Sequence, residues 1–173
     1  MRIRNRLVCI LNIIAVAMLL LPLGRLQLFN ENYSTLSLNT RGYLYLLATG
    51  VLSGLTLALE TLSISNRKRG ILIFLGLFLA SIIPHHYPYD AQGNIHLFLA
   101  YAGFCLMTGI TCLNRLQSYR KTLINLYVLS LTAALTLYLK AGMVNTLSEL
   151  IIMFSTLGIN LFLYIKKQDH SCF

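Results

Sequence analysis

Three of the four histidines, His85, His86 and His96, together with Asp90, lie within the stretch SIIPHHYPYDAQGNIHLFLAY (81–101), between two runs of nearly pure hydrocarbon. Imidazole and carboxylate groups gathered in this way can hold a metal ion, exchange a proton or, once the imidazole is charged, bind phosphate. As a metal set, His85 or His86 with Asp90 and His96 supplies three ligands, and Glu149 adds a fourth or serves as the base that polarises a bound water. Zinc is the ion such a set would take, with His86, Asp90 and His96 as the candidate ligands. Two facts count against it. The spacing H-H-x3-D-x5-H matches no closed zinc signature, and adjacent histidines on a helix point about 100° apart, so one of the pair would be left out. The same residues also suit a plainer role, as His and Tyr anchors at the level of lipid headgroups.

The elements that must position these groups follow from composition. The 173 residues are 57% hydrophobic and 11% charged, with a mean hydropathy of +0.70, against about 25% charged in soluble domains. Such a chain belongs in a bilayer, where about 20 apolar residues cross as a helix and irregular backbone facing lipid is too costly. Six apolar runs emerge, at approximately 7–23, 43–64, 70–87, 95–113, 122–140 and 144–165. The expected architecture is an all-α polytopic bundle of six transmembrane helices, occupying the chain as a single integral membrane domain. The first run resembles a secretory signal behind MRIRNR, but it is long and ends in LLPLGRLQLF without a small-x-small site, so it is taken as a retained helix.

Charge orients the bundle. The net charge is +9, yet the basic residues stand in short clusters between the apolar runs, which is a topology signal and excludes nucleic acid as a partner. Of the 14 Lys and Arg, 11 fall in the N-terminal segment, the 65–69 and 114–121 connections and the C-terminal tail; only Arg25, Arg41 and Lys140 lie in the alternate segments. Both termini are therefore expected in the cytoplasm of a cell with the bundle in its cytoplasmic membrane. The longest connection, 24–42, is rich in Asn, Ser and Thr and long enough to fold over the outer mouth of the bundle. It carries an N-x-S sequon at Asn32, meaningful in a glycosylating host.

This orientation sorts the rare polar groups by depth. His85, His86, Asp90 and His96 share the outer interface, and Glu149 lies about one turn below the outer end of the last helix. A carboxylate is expensive alone in the outer leaflet, so a contact between Glu149 and His96 is expected. Asn145, Glu149, Thr156 and Asn160 recur at steps of 4, 7 and 4, a polar stripe that must face the bundle interior. Small-residue faces at Gly50, Ser53, Gly54 and Thr61, and at His96, Ala100 and Gly103, predict close helix approach, within the chain more readily than across a homodimer seam. Glu60 lies toward the opposite end, where pairing with Arg67, Lys68 and Arg69 or with another helix is expected. Cys9, Cys105, Cys112 and Cys172 have neither CxxC nor metal spacing; Cys105 and Cys112, seven apart, are expected to pack on one helix face.

Several activities fail on the residues. The GVLSGL stretch around Ser53 lacks the glycine two positions earlier that a rhomboid G-x-S-G motif needs, and His96 and Cys105 are too far apart in depth for a Cys/His peptide-processing protease. There is no Walker loop, no ordered acid series for proton pumping and no inverted repeat.

The ordered features NYSTLSLNTRGYLYLLATGVLSG, LASIIPHHYPYDAQGNIHLFLAYAGF and NTLSELIIMF resemble the six-helix Frag/DRAM/Sfk group of membrane proteins and its bacterial relatives of unknown function. In that group a Pro and an Asp near the end of the third helix precede a His that opens the fourth, and an acidic or polar position recurs near the start of the last helix. The resemblance implies such roles for Pro84, Asp90, His96 and Glu149, and implies lipid handling. The doubled His85 and His86 and the very short termini depart from the pattern. Membrane lipids are thus the expected partners, and a homo- or hetero-oligomer within the membrane is allowed. The leading expectation is an outer-leaflet polar site of His85, His86, Asp90, His96 and Glu149 that binds a lipid headgroup or a small polar ligand. A metal-dependent membrane hydrolase using His96, Glu149 and Asp90, and a non-catalytic assembly partner, are the alternatives.

Overall fold

The computed structural model describes residues 3–28, 31–83, 91–116, 121–141 and 144–170. Six α-helices account for most of them: α1 (Ile3–Leu20), α2 (Thr40–Ile64), α3 (Arg67–Ile82), α4 (Ala91–Leu116), α5 (Lys121–Ala141) and α6 (Thr146–His170), and no strand occurs among the described residues. Two short 3-10 helices, Leu21–Gly24 and Tyr33–Leu38, lie between α1 and α2.

Asparagines start the helices. The side-chain oxygen of Asn39 accepts the Gly42 amide (2.8 Å) at the head of α2, Asn66 accepts the Arg69 amide (2.9 Å) at α3, and Asn145 accepts the Ser148 amide (2.9 Å) at α6. Each fills one of the amide donors that a helix start leaves unpaired. Helix α3 stops at Ile82, short of the expected end at 87, with Ile83 already extended at φ −98° and ψ 120°. The reason is in the sequence: Pro84 disfavours a helical conformation in the residue before it. Positions 84–87 of the expected span lie outside the described residues.

Among the described residues, five segments are long and apolar enough to cross a membrane: 5–24, 40–64, 94–114, 122–141 and 146–167. At 16 residues, α3 rises about 24 Å, less than the roughly 30 Å hydrocarbon core. It packs between α2 and α4, while α6 packs on α5, α2 and α1. The surface is that of a membrane protein: Ile13, Leu21, Phe98, Leu129 and Leu139 are each about two-thirds exposed, whereas Asn, Thr and Glu side chains fill much of the interior. In water this distribution would be inverted; in lipid it buries what hydrocarbon cannot solvate.

Small residues set the helix spacing. A Cβ on Gly50 would come within 2.4 Å of Ser81 Oγ, and one on Gly103 within 2.3 Å of the Gly76 carbonyl oxygen. The Gly50/Gly54 face therefore meets α3 of the same chain, and α3 and α4 touch backbone to backbone at Gly76 and Gly103. Ala15, Leu57, Ile73, Met107 and Leu157 form the apolar centre where these helices meet.

Candidate functional site: a capped end and a buried polar ring

The segment between α1 and α2 folds over one end of the bundle. Its 3-10 turn packs on α2, and the Asn32 side chain, which opens that turn, accepts the Thr35 amide (3.2 Å). Two links hold the segment to distant helices. Ser34 Oγ stands 2.9 Å from His96 Nε2 on α4, and the Glu31 carbonyl accepts both the Thr146 amide (2.6 Å) and the Thr146 hydroxyl (2.7 Å) on α6. Because Glu31 and Ser34 are three residues apart, the cap brings the start of α6 and the start of α4 to the same end of the molecule.

His96 is 1% exposed. Its second ring nitrogen, Nδ1, lies 2.6 Å from the Ile83 carbonyl at the end of α3. A backbone carbonyl only accepts, so Nδ1 carries a proton there; in the neutral ring Nε2 then accepts from the Ser34 hydroxyl. The imidazole thus links three elements, the end of α3, the start of α4 and the cap. Glu149 itself is half-buried in the first turn of α6. His85, His86 and Asp90 lie outside the described residues, so of the sequence-derived set the structure places only His96 and Glu149.

The start of α6 uses its own amides. Thr146 N donates to Glu31 O, Leu147 N to Leu28 O, Ser148 N to Asn145 Oδ1 and Glu149 N to Asn145 O. This helix end therefore offers no free amide cradle for an anion. What it does offer is the Asn145 amide nitrogen: the residue is fully buried, and Nδ2 has no acceptor among the described residues.

A second polar cluster occupies the opposite half of the bundle. Glu60, fully buried, accepts from Asn12 Nδ2 on α1 through Oε1 (2.9 Å). Asn12 Nδ2 also reaches the Leu157 carbonyl on α6 at 3.5 Å. One turn further along α6, Asn160 Nδ2 donates to Thr111 Oγ1 on α4 (3.3 Å) and to the Thr156 carbonyl (2.9 Å). One turn further along α4, Asn114 Nδ2 donates to Thr61 Oγ1 on α2 (3.4 Å), beside Glu60. The links run α2 to α1 to α6 to α4 and back to α2, a closed ring. Tyr127 of α5 joins it through the Thr156 hydroxyl (3.0 Å), and Tyr164 with Asn5 (2.8 Å) lies beyond it toward the helix ends.

Of the polar stripe expected on the last helix, Asn145, Thr156 and Asn160 are fully buried, while Glu149 is half-buried. Glu60 takes its partner from another helix, Asn12, and not from the 67–69 cluster. Asn12 and Asn114 are the members that sequence reasoning missed. The available signal was an asparagine within an otherwise apolar run, a residue that needs a buried partner to be tolerated. Cys105, expected to pack, is exposed on the apolar surface of α4, while Cys9 and Cys112 are half-buried free thiols. No group of three His, Cys, Asp or Glu side chains among the described residues is placed to share a metal ion; two of the three candidate zinc ligands, His86 and Asp90, fall outside those residues.

Fold and surface together define an all-helical membrane protein with polar groups sequestered at two depths. Comparison of the chain with protein-family models, with curated proteins and with solved structures finds no match.

Proposed function

We propose that the protein is a six-span protein of the cytoplasmic membrane, both termini inside, that holds a lipid headgroup or a small polar ligand at its capped outer end. The observation that carries this reading is Asn145. Its amide nitrogen is buried without an acceptor among the described residues, at the same end as the half-buried Glu149 carboxylate and the cap. A buried donor without a partner costs about 1–3 kcal/mol, and a headgroup or ligand oxygen would remove that cost. Glu149 would meet the cationic part of a zwitterionic headgroup. Lipid is also the ligand class implied by the resemblance to the Frag/DRAM/Sfk group. The sixth span is α3. The clusters at 67–69 and 166–167 supply the cytoplasmic positive charge.

The test is phospholipid retained by detergent-purified protein, measured by mass spectrometry, in the wild type and in Asn145→Leu and Glu149→Gln. Retention of lipid by the wild type and its loss in both variants is expected. Equal retention in all three sinks the outer site. A thiol-labelling map of single cysteines in intact cells tests the orientation; labelling of the 67–69 connection from outside would reverse it.

A further inference from the structure

The outward surface of the bundle is not uniform. The first span presents Leu7, Ile10, Ile13 and Leu21, branched hydrocarbon of the kind that acyl chains solvate. Helix α5 departs from this pattern. Past the first two residues of each spanning segment, exposed Asn, Ser or Thr side chains occur on α5 alone among the described residues, at Asn125, Thr132 and Thr136. It is also the span least enclosed by the rest of the chain: 11% of its apolar stretch is buried, against 28–39% in the other four long spans.

The exposed positions of α5 are ordered as a helix seam. Asn125, Leu129, Thr132, Thr136 and Leu139 are all exposed and follow one another at steps of 4, 3, 4 and 3, the a/d repeat by which parallel helices interlock. Leu126, Val128, Ala133 and Leu135, at the flanking e and g places, are exposed as well. The other side of α5 faces the bundle, with Tyr127 and Ala134 buried and Tyr127 bonded to Thr156 of α6. A complete seam is thus turned away from the protein, and its polar members restrict what covers it. Asn125 has no hydrogen-bond partner among the described residues, and lipid tails offer an amide none. The Thr132 and Thr136 hydroxyls donate within their own helix, to the carbonyls of Val128 (2.9 Å) and Thr132 (2.8 Å), which leaves each oxygen able to accept. None of the five seam residues is charged, so nothing in the line calls for a partner of opposite sign. A second copy of the chain meets these terms. Inserted in the same sense, its α5 runs parallel and in register about a twofold axis along the membrane normal, so each seam residue faces its own counterpart. Amide facing amide gives each a donor and an acceptor, and the two threonines are small enough for close approach.

We infer that α5 is the seam of a parallel homodimer, in which Asn125, Leu129, Thr132, Thr136 and Leu139 of one protomer pack against the same residues of its partner. Asn125 fixes the register, as a single polar residue does in a coiled coil, and the leucines supply the packing. The seam is separate from the capped end and does not depend on what that end binds. The twofold axis puts both capped ends on one face of the membrane.

The experiment uses the full-length protein in phospholipid vesicles. In a background of Cys9→Ala, Cys105→Ala, Cys112→Ala and Cys172→Ala, single cysteines are introduced and oxidised with copper phenanthroline. Leu129→Cys, Thr132→Cys and Thr136→Cys should give disulfide-linked dimers. Ile13→Cys, equally exposed but on α1, and Leu131→Cys, on the side of α5 that meets the bundle, should stay monomeric. Yields at the three seam positions no greater than at Ile13 overturn the inference. A second measurement keeps all four native cysteines, in case their removal prevents accumulation: copies are counted by single-molecule photobleaching of a fluorophore on a terminal tag as the vesicle lipid is diluted. The wild type should show a dimer, and Asn125→Leu should raise its dissociation constant about 3- to 20-fold, the range for one hydrogen bond between membrane helices. A wild type that is monomeric at every lipid dilution overturns the inference, as does a dimer whose cross-links map to a helix other than α5.

Discussion

Removing the His96 side chain should release the cap before it unfolds the bundle. In His96→Ala the Ser34 hydroxyl and the Ile83 carbonyl each lose their ring-nitrogen contact, at 2.9 and 2.6 Å respectively. At about 1 kcal/mol net for each hydrogen bond, the loss is ~2 kcal/mol, and the space left by a ring that is 1% exposed adds to it. Only the cap depends on the Ser34 contact, so about half of this falls on cap opening alone, and all of it does if α3 and the cap loosen together. One to two kcal/mol is a factor of roughly 5 to 30 in the open population. Trypsin reads that population directly, because cleavage follows the open fraction when opening and closing are fast. Arg25 and Arg41 are exposed and flank the cap, so cleavage there in the purified protein, quantified by mass spectrometry, should accelerate about 5- to 30-fold. Ser34→Ala should give the smaller part of the effect, and adding it to His96→Ala should change little, since the two side chains share one contact. Unaltered cleavage at both arginines in a folded His96→Ala protein would refute the role of His96 as the tie between cap and bundle; fully additive effects would show that Ser34 acts through something else.

Two further outcomes follow from the packing. Gly103→Ala must separate α3 from α4 by about 1 Å to relieve the 2.3 Å approach to the Gly76 carbonyl, an overpacking cost of about 1–3 kcal/mol, while a Cβ on Gly109 meets nothing within 4 Å; thermal melts of the two alanine variants in one detergent should therefore differ clearly, and equal melting temperatures would mean the glycine contact does not set the α3–α4 spacing. A spin label on Cys105, exposed on α4, should be relaxed more by dissolved oxygen than by a water-soluble nickel chelate in reconstituted vesicles, and the opposite order would place that face of α4 in water.

Legibility in the sequence divided according to how local the signal was. Apolar run length gave five of the spanning helices, because bilayer thickness acts on each run by itself. The same logic overextended α3 to 87: hydropathy continued through Ile83, but the backbone preference imposed by Pro84 is a one-residue effect that ends the helix at Ile82. The burial of Asn145, Thr156 and Asn160 was readable from periodicity, since one helix carries the pattern, although Glu149, read as part of the same stripe, is half-buried. Hydrogen-bond partners across helices were not. Nothing local says that Ser34 and the Ile83 carbonyl take the two nitrogens of His96, sixty-two and thirteen residues away, or that Asn12 seeks Glu60 forty-eight residues on. Those choices depend on helix rotation and register, which small residues such as Gly76 and Gly103 fix only once the helices are packed.

The two polar sites differ in the buried atoms that they leave without a partner among the described residues. At the capped end the buried atom without a partner among the described residues is a donor, Asn145 Nδ2, while in the ring Glu60 Oε2, Asn114 Oδ1 and Asn160 Oδ1 have no donor among them and Asn114 Nδ2 keeps one hydrogen beyond its bond to Thr61. Helix α6 carries a member of each, Asn145 and Asn160, fifteen residues or about 22 Å apart along its axis. Apolar side chains including Leu57, Ile73 and Leu157 form the core of the bundle that both sites share. An apolar residue in place of each polar one would stabilise the bundle without asking for partners, since a buried ionic or polar network is seldom the most stable filling of a core. A bundle kept for packing alone has no use for a buried amide nitrogen that finds no acceptor among the described residues.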